Sequence, residues 1–352
     1  MDAEATQPLQ GKCSTANAPV FLLSLPAMKI ALAATLFATS ALAQSTLLVT
    51  NQTDRSLTYI DTVAGKVVDT IPENGVTGHE ITTTPDGKIA FVPMYGNAGV
   101  GRPGTDGAEI QVVDVASHKI IHTINLGHGV RPHKPVYDTH RNVLWVTTEL
   151  DQSITAIDPK TYKVLYSIPT GQAESHMLVL SPDGHRAYTA NVGPGTVSVL
   201  DLDAKKLVTI IPISKNTQRI TITNDGKYVF TSDQVEPRLA VIDTATNKVK
   251  NYVPLPAAGY GGAITPDGKT LILCLVHANQ VAFLDLATMK VTKVIPAGEY
   301  PQAVVITKDG KRAFVSSLHS GTIDELDVAK QEKVRSIFSG KGADGMVLVS
   351  AK

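Results

Sequence analysis

The sequence predicts an all-β fold, a seven-bladed propeller, and three observations carry that prediction. First, one pattern recurs seven times, its anchoring aspartates Asp61, Asp114, Asp158, Asp201, Asp243, Asp285 and Asp327 standing 53, 44, 43, 42, 42 and 42 residues apart. Second, each copy alternates apolar and polar residues over four short runs, as half-buried strands do. Third, turn signals such as TPDGK, SPDGH and TNDGK separate the first two runs, and Asp-Gly is a strong hairpin signal. A four-stranded antiparallel unit repeated near 42 residues is a propeller blade.

Each element has a local reason. The aspartate after the third strand starts the tight turn to the fourth by accepting nearby backbone N–H groups, so these aspartates are structural. The C-terminal GMVLVSAK matches a first strand, and STLLVTNQ, at residues 45–52, matches a second strand with no first strand before it. One C-terminal and three N-terminal strands should therefore share the last blade, which removes the open edges of an unfinished ring. Residues 44–352 are expected to form a single propeller domain. Met28 begins MKIALAATLFATSALAQ, with Lys29 as a short basic region, Ile30–Phe37 as an apolar stretch and Ala41-Leu42-Ala43 as a small-x-small cleavage site. Residues 28–43 read as a signal peptide, residues 1–27 as a mis-called extension ahead of it, and the protein as periplasmic or secreted, without stable membrane insertion after cleavage. Cys274 is then the single cysteine of the mature chain and reads as a buried strand residue. With 32 basic and 32 acidic residues, the chain gives no reason to expect nucleic acid as a partner.

The repeats resemble the YVTN-repeat family of seven-bladed propellers, with lactonase-like and cytochrome d1-like propellers as wider kin. LLVTNQTDRSLTYIDTVAGKVVDTI and AYTANVGPGTVSVLDLDAKKLVTII carry the resemblance, LVTN and YTAN standing in for the literal tetrapeptide. It implies the fold and leaves function open among lactone hydrolysis, haem binding, metal handling and surface-layer roles.

The strand heads are more specific. Counting six residues back from the proline position of the PDG turn gives His79 in blade 1, His176 in blade 3, and by alignment His133 in blade 2. Blades 4, 5 and 6 give Gln218, Tyr260 and Gln302, and blade 7 gives Gly345 or Asp344. Three histidines in register on adjacent blades point to one side of the channel mouth. Converging neutral imidazoles suit one transition-metal ion, zinc or copper first and iron next. Three protein ligands with an open position is the form of a catalytic zinc site. Glu174, two residues before His176, shares its face if the strand extends that far, and is the candidate catalytic carboxylate. Glu80 should point away from His79.

Around this mouth, Tyr95, Arg131, Arg219, His277 and His319 join Gln218, Tyr260 and Gln302 as candidate substrate contacts. The glycine-rich stretch at residues 94–109 breaks the repeat and suggests a lid. GxSxG, CxxCH, HExxH and EF-hand motifs are absent. The readings are a metal-dependent enzyme acting on a small molecule, by lactone or ester hydrolysis or by copper-dependent oxidation; a zinc or copper carrier serving a metal-accepting protein; and an interaction scaffold without catalysis.

Overall fold

The computed structural model describes residues 45–350, so the expected extension and signal peptide lie outside the described residues. The chain forms seven four-stranded antiparallel sheets. Blade 1 spans residues 82–125, blade 2 132–169, blade 3 175–212, blade 4 217–254, blade 5 259–296 and blade 6 301–338. Blade 7 joins Ala343–Ser350 to the three strands Ser45–Asn51, Ser56–Asp61 and Lys66–Pro72, as the strand count predicts.

The turns behave as their residues dictate. Asp61 Oδ1 accepts the N–H groups of Val63 and Ala64, and Asp201, Asp243 and Asp285 accept their equivalents. In the Asp-Gly hairpins the glycine takes a positive φ, 76° at Gly184, which an L side chain rarely adopts.

The core lies between blades. Met177, Tyr188 and Val199 of blade 3 pack on Ile220, Val229 and Ala240 of blade 4. Leu47, Val49 and Met346 of blade 7 pack on Phe314 and Ile323 of blade 6. Burying each such side chain stabilises the fold by about 1.5–3 kcal/mol.

One irregularity repeats in every blade. Where the first strand meets the second, the register slips by one residue, for example between Ser175↔Asn191 and Met177↔Ala190. Equivalent slips occur at Pro132/Pro135, Thr217/Arg219, Gly259/Gly262, Pro301/Ala303, Ala343/Met346 and Gly78/Thr82. Each is a β-bulge, in which two residues stand opposite one and the strict alternation of sides is lost.

Candidate functional site

The bulges put two consecutive residues per blade toward the channel, the second being glycine in blades 5 and 7. The first of each pair forms a ring of His79, His133, His176, Gln218, Tyr260, Gln302 and Asp344. All are buried except half-buried His79. The second of each pair includes Glu80, Lys134, Met177 and Arg219. The expectation that Glu80 points away from the site is therefore corrected: it is buried, and its carboxylate meets Lys134 Nζ at 2.8 Å and the Arg219 guanidinium across the channel. Simple alternation fails there because the bulge adds a residue.

The three histidines come together. His133 and His176 stack with centroids 3.5 Å apart, and His79 lies 5.6 Å from His133, edge to face. Tyr95, fully buried, packs on all three rings, at 4.7 Å from His79, 5.1 Å from His133 and 5.6 Å from His176. His133 Nδ1 lies 3.1 Å from the His176 carbonyl, and His176 Nδ1 lies 3.0 Å from Glu149 Oε2, which also accepts the Tyr95 hydroxyl at 2.9 Å. Both Nδ1 atoms thus face acceptors and donate, and Nε2 is the remaining nitrogen of each ring. Burial, and then the neighbouring His176, push the His79 pKa down to about 3, and burial first also holds His133 well below its ordinary value, so both are neutral at pH 7.

Glu149 is a site residue that the sequence reading missed. It follows the second strand of blade 2, the position that Tyr95 holds in blade 1 and Gln52, Val192, Gln234, Val276 and Leu318 hold elsewhere. Reading that position across the seven copies, as was done for the strand heads, would have found it as the one acid. Its Oε1 is buried without a hydrogen-bond partner, 3.8 Å from Arg131 Nη1.

Glu174 takes a different place from the one expected. The strand begins at Ser175, and Glu174 sits before it with φ 53°, equivalent to Arg131 with φ 50°. The left-handed backbone turns both side chains toward the mouth loops. Glu174 accepts the Gly193 N–H at 2.7 Å and packs against Gly101. Arg131 donates to Asp106 Oδ1 at 2.6 Å and to the Arg102 carbonyl at 2.6 Å. Both therefore hold down the 94–109 insertion. That insertion is also shorter as a loop than expected: strand pairing runs to Gly96↔Asp106, and Asn97 closes the remaining turn by accepting the Thr105 N–H.

The rest of the ring forms a charged cluster. Arg219, 5% exposed, reaches Glu80, Gln302 Oε1 at 3.2 Å and Asp344 Oδ1 at 3.4 Å, and lies 4.7 Å from the Tyr260 ring centroid. Gln218 donates to the Tyr260 hydroxyl at 3.0 Å. Burial works against the Glu80 charge, but Lys134 and Arg219 outweigh it and hold its pKa down to about 2. Burial raises Asp344 to about 6 against the pull of Arg219. His277 and His319 are exposed and make their ring contacts with Tyr300, at 5.7 and 4.5 Å, not with the channel imidazoles.

The donor set fits a metal ion in part. Neutral imidazoles whose Nδ1 is tied to a carbonyl or carboxylate are the usual supporting pattern of metal-ligating histidine. As arranged, however, no three His, Cys, Asp or Glu groups among the described residues meet as ligands. The stacked faces of His133 and His176 would have to part to share an ion.

Comparison with known proteins agrees with the geometry at the level of fold. The family described as the cytochrome D1 heme domain matches residues 137–262. No curated protein matches the chain. A putative 6-phosphogluconolactonase from Bacteroides fragilis superposes with a TM-score of 0.69 at 15% identity, over 89% of this chain and 99% of that one. The dihydro-heme d1 dehydrogenase NirN, in complex with DHE, gives 0.64 at 14% identity, over 86% and 75%. Hydrazine synthase of Kuenenia stuttgartiensis gives 0.65 at 18%, over 76% and 88%. This chain is a seven-bladed β-propeller. At these identities the propeller likeness concerns architecture, and the site must be argued from its own residues.

Proposed function

We propose that this propeller is an exported, metal-dependent enzyme whose channel mouth holds one zinc or copper ion on His79, His133 and His176. Lactone or ester hydrolysis on a small molecule is the reaction proposed, on the likeness to a putative 6-phosphogluconolactonase, with copper-dependent oxidation next. The observation that carries the reading is the contact of His133 Nδ1 with the His176 carbonyl and of His176 Nδ1 with Glu149, which leaves Nε2 of each ring as the nitrogen available to an ion. When bound, the ion supplies Lewis acidity and a nucleophile at neutral pH. Glu149 orients His176, and it is the carboxylate beside the histidines, the place expected of the catalytic candidate Glu174. Glu174 and Arg131 hold the insertion over the mouth, which limits water access. Tyr95, packed on all three imidazoles, favours a bare ion over a planar macrocycle. The YVTN-repeat kinship and the periplasmic or secreted location belong to this same reading.

A second reading, metal carriage, draws support from the stacked imidazoles, since a site that must open to bind also opens to release. The deciding experiment is metal quantification by mass spectrometry on chain purified from the periplasm without chelator. It is run beside the variant His79→Ala/His133→Ala/His176→Ala and followed by hydrolysis assays on simple lactones. One equivalent of metal that is lost in the variant, together with lactone turnover, supports the enzyme. The same metal result without turnover, and with transfer to an acceptor chelator, supports the carrier. Absence of metal after reconstitution overturns both.

A further inference from the structure

The opposite mouth of the channel has the reverse character. There the second halves of the first strands are aliphatic in blades 3, 5, 6 and 7, with Tyr137 in blade 2 and Thr221 in blade 4, and their ends are only part-buried. A cavity of about 420 Å³ opens between blades 5, 6 and 7, lined by Ala263, Ile264, Val305, Ile306, Val347 and Leu348. A second, of about 380 Å³, is lined by Val136, Leu178, Leu180 and Ile222 of blades 2 to 4. A third, of about 470 Å³, connects them, sharing Leu348 and Lys308 with the first and Val136 and Tyr137 with the second. The Arg219–Glu80–Asp344 cluster crosses the channel between this vestibule and the histidines.

Aliphatic surface held open to water is unfavourable, and a concave patch of this kind marks a binding site more often than a bare surface does. Each cavity lies in the size range of small-ligand sites. The lining of the first cavity is aliphatic and carries no aromatic ring, Tyr137 lying only in the other two, which suits a flexible acyl chain better than a planar ring. The rim of the third cavity carries one acid, Asp86, paired with Lys88 at 3.8 Å, and one base, Lys308. Lys308 borders two of the cavities and has no ion pair or hydrogen bond among the described residues. It stands where blades 1, 3 and 5 carry Pro85, Pro182 and Pro266, in turns of the same design. Its neighbouring turn acid, Asp309, pairs instead with Lys311. We propose that this vestibule binds a medium-chain carboxylate, its acyl chain along the aliphatic strands and its head group at Lys308.

The site is separate from the histidines, so its test does not depend on metal. Isothermal titration of the full chain with decanoate, decanol and acetate, below micellar concentrations, reads it directly. Decanoate should bind saturably at one equivalent, decanol more weakly, and acetate not at all. Lys308→Glu, an exposed change, should weaken decanoate about two- to fivefold and leave decanol unchanged. Ala263→Phe, which fills the first cavity, should weaken both, and His133→Ala should change neither. Absence of saturable binding by decanoate and decanol overturns the site. Binding that both Lys308→Glu and Ala263→Phe leave intact overturns its location. Loss in Ala263→Phe alone, with decanoate indifferent to Lys308→Glu, overturns the assignment of the head group.

Discussion

The two ends of one channel differ although the same seven strands build both. At the histidine end the side chains are polar or charged and almost fully buried; at the other end they are aliphatic and part-exposed. The usual relation between polarity and burial is inverted at each end. The difference arises from backbone geometry. At the heads, a bulge in every blade turns two consecutive residues inward, which crowds the ring and brings its polar groups together. Past the bulge, regular pairing resumes and the side chains there stay part-exposed. The polar groups are linked through Glu149, Tyr95, Arg219 and Glu80, and two buried atoms, Glu149 Oε1 and Arg219 Nε, have no hydrogen-bond partner.

That contrast can be broken at its centre. Arg219→Met removes the cation that holds Glu80 and Asp344 across the channel and leaves Glu80 with Lys134 alone. Breaking a buried ion pair from one side costs about 3–5 kcal/mol. Urea denaturation should show a loss of that order, partly restored by the double change Arg219→Met/Glu80→Gln. A loss under about 1 kcal/mol would mean that the cluster is not what closes the ring.

A change at the histidine end alone sharpens the comparison. Glu149→Gln keeps the shape but weakens the acceptor that orients His176. Zinc affinity, measured by competition with a chromophoric chelator, should fall about 10- to 100-fold, with little change in thermal unfolding. Unchanged affinity would separate Glu149 from the metal site.

Glu73 tests the cost of burial near the same end. It is buried, accepts the Gly78 N–H at 2.8 Å with one oxygen, and has its other oxygen unpartnered. Burial raises its pKa from 4.5 to about 7 despite that hydrogen bond. The folded state therefore holds this proton more tightly than the unfolded state. Stability from this group is full below pH 4.5 and is lost as pH rises to about 7. Glu73→Gln should equal the wild type near pH 4 and be more stable by about 1–3 kcal/mol at pH 8. Parallel stability curves across that range would show that Glu73 ionises freely.

The smallest effect belongs to the opposite end. Val305→Thr exchanges one part-exposed methyl for a hydroxyl that water can reach. Stability should move by no more than about 0.5–1 kcal/mol. A larger loss would place Val305 in the core.

Nearly all of the fold was legible in the sequence, because a repeat states its pattern seven times and each copy checks the others. The shared blade 7 followed from counting strands. The three histidines were legible for the same reason, since phase within a repeat is phase around the ring. What failed was reasoning inside a single copy. Glu80 was assigned outward by the rule of alternating sides, and a bulge, which leaves no residue-type mark in HEITTTP or QRITITND, reverses that rule. Glu174 was placed on a strand that starts one residue later, where a positive φ directs it to the loop. Glu149 had no neighbour in the chain to mark it, because the groups it touches are Tyr95, 54 residues away, and His176, 27 residues away.

The shared blade also has a consequence in time. Ser45–Asn51 cannot be covered on its inner edge until Ala343–Ser350 exists. Once blade 6 ends at Phe338, six blades can be complete while the seventh still lacks its innermost strand and the ring its latch. A molecule cut short by eight residues would then differ from the finished one by an open seam that proteases can read.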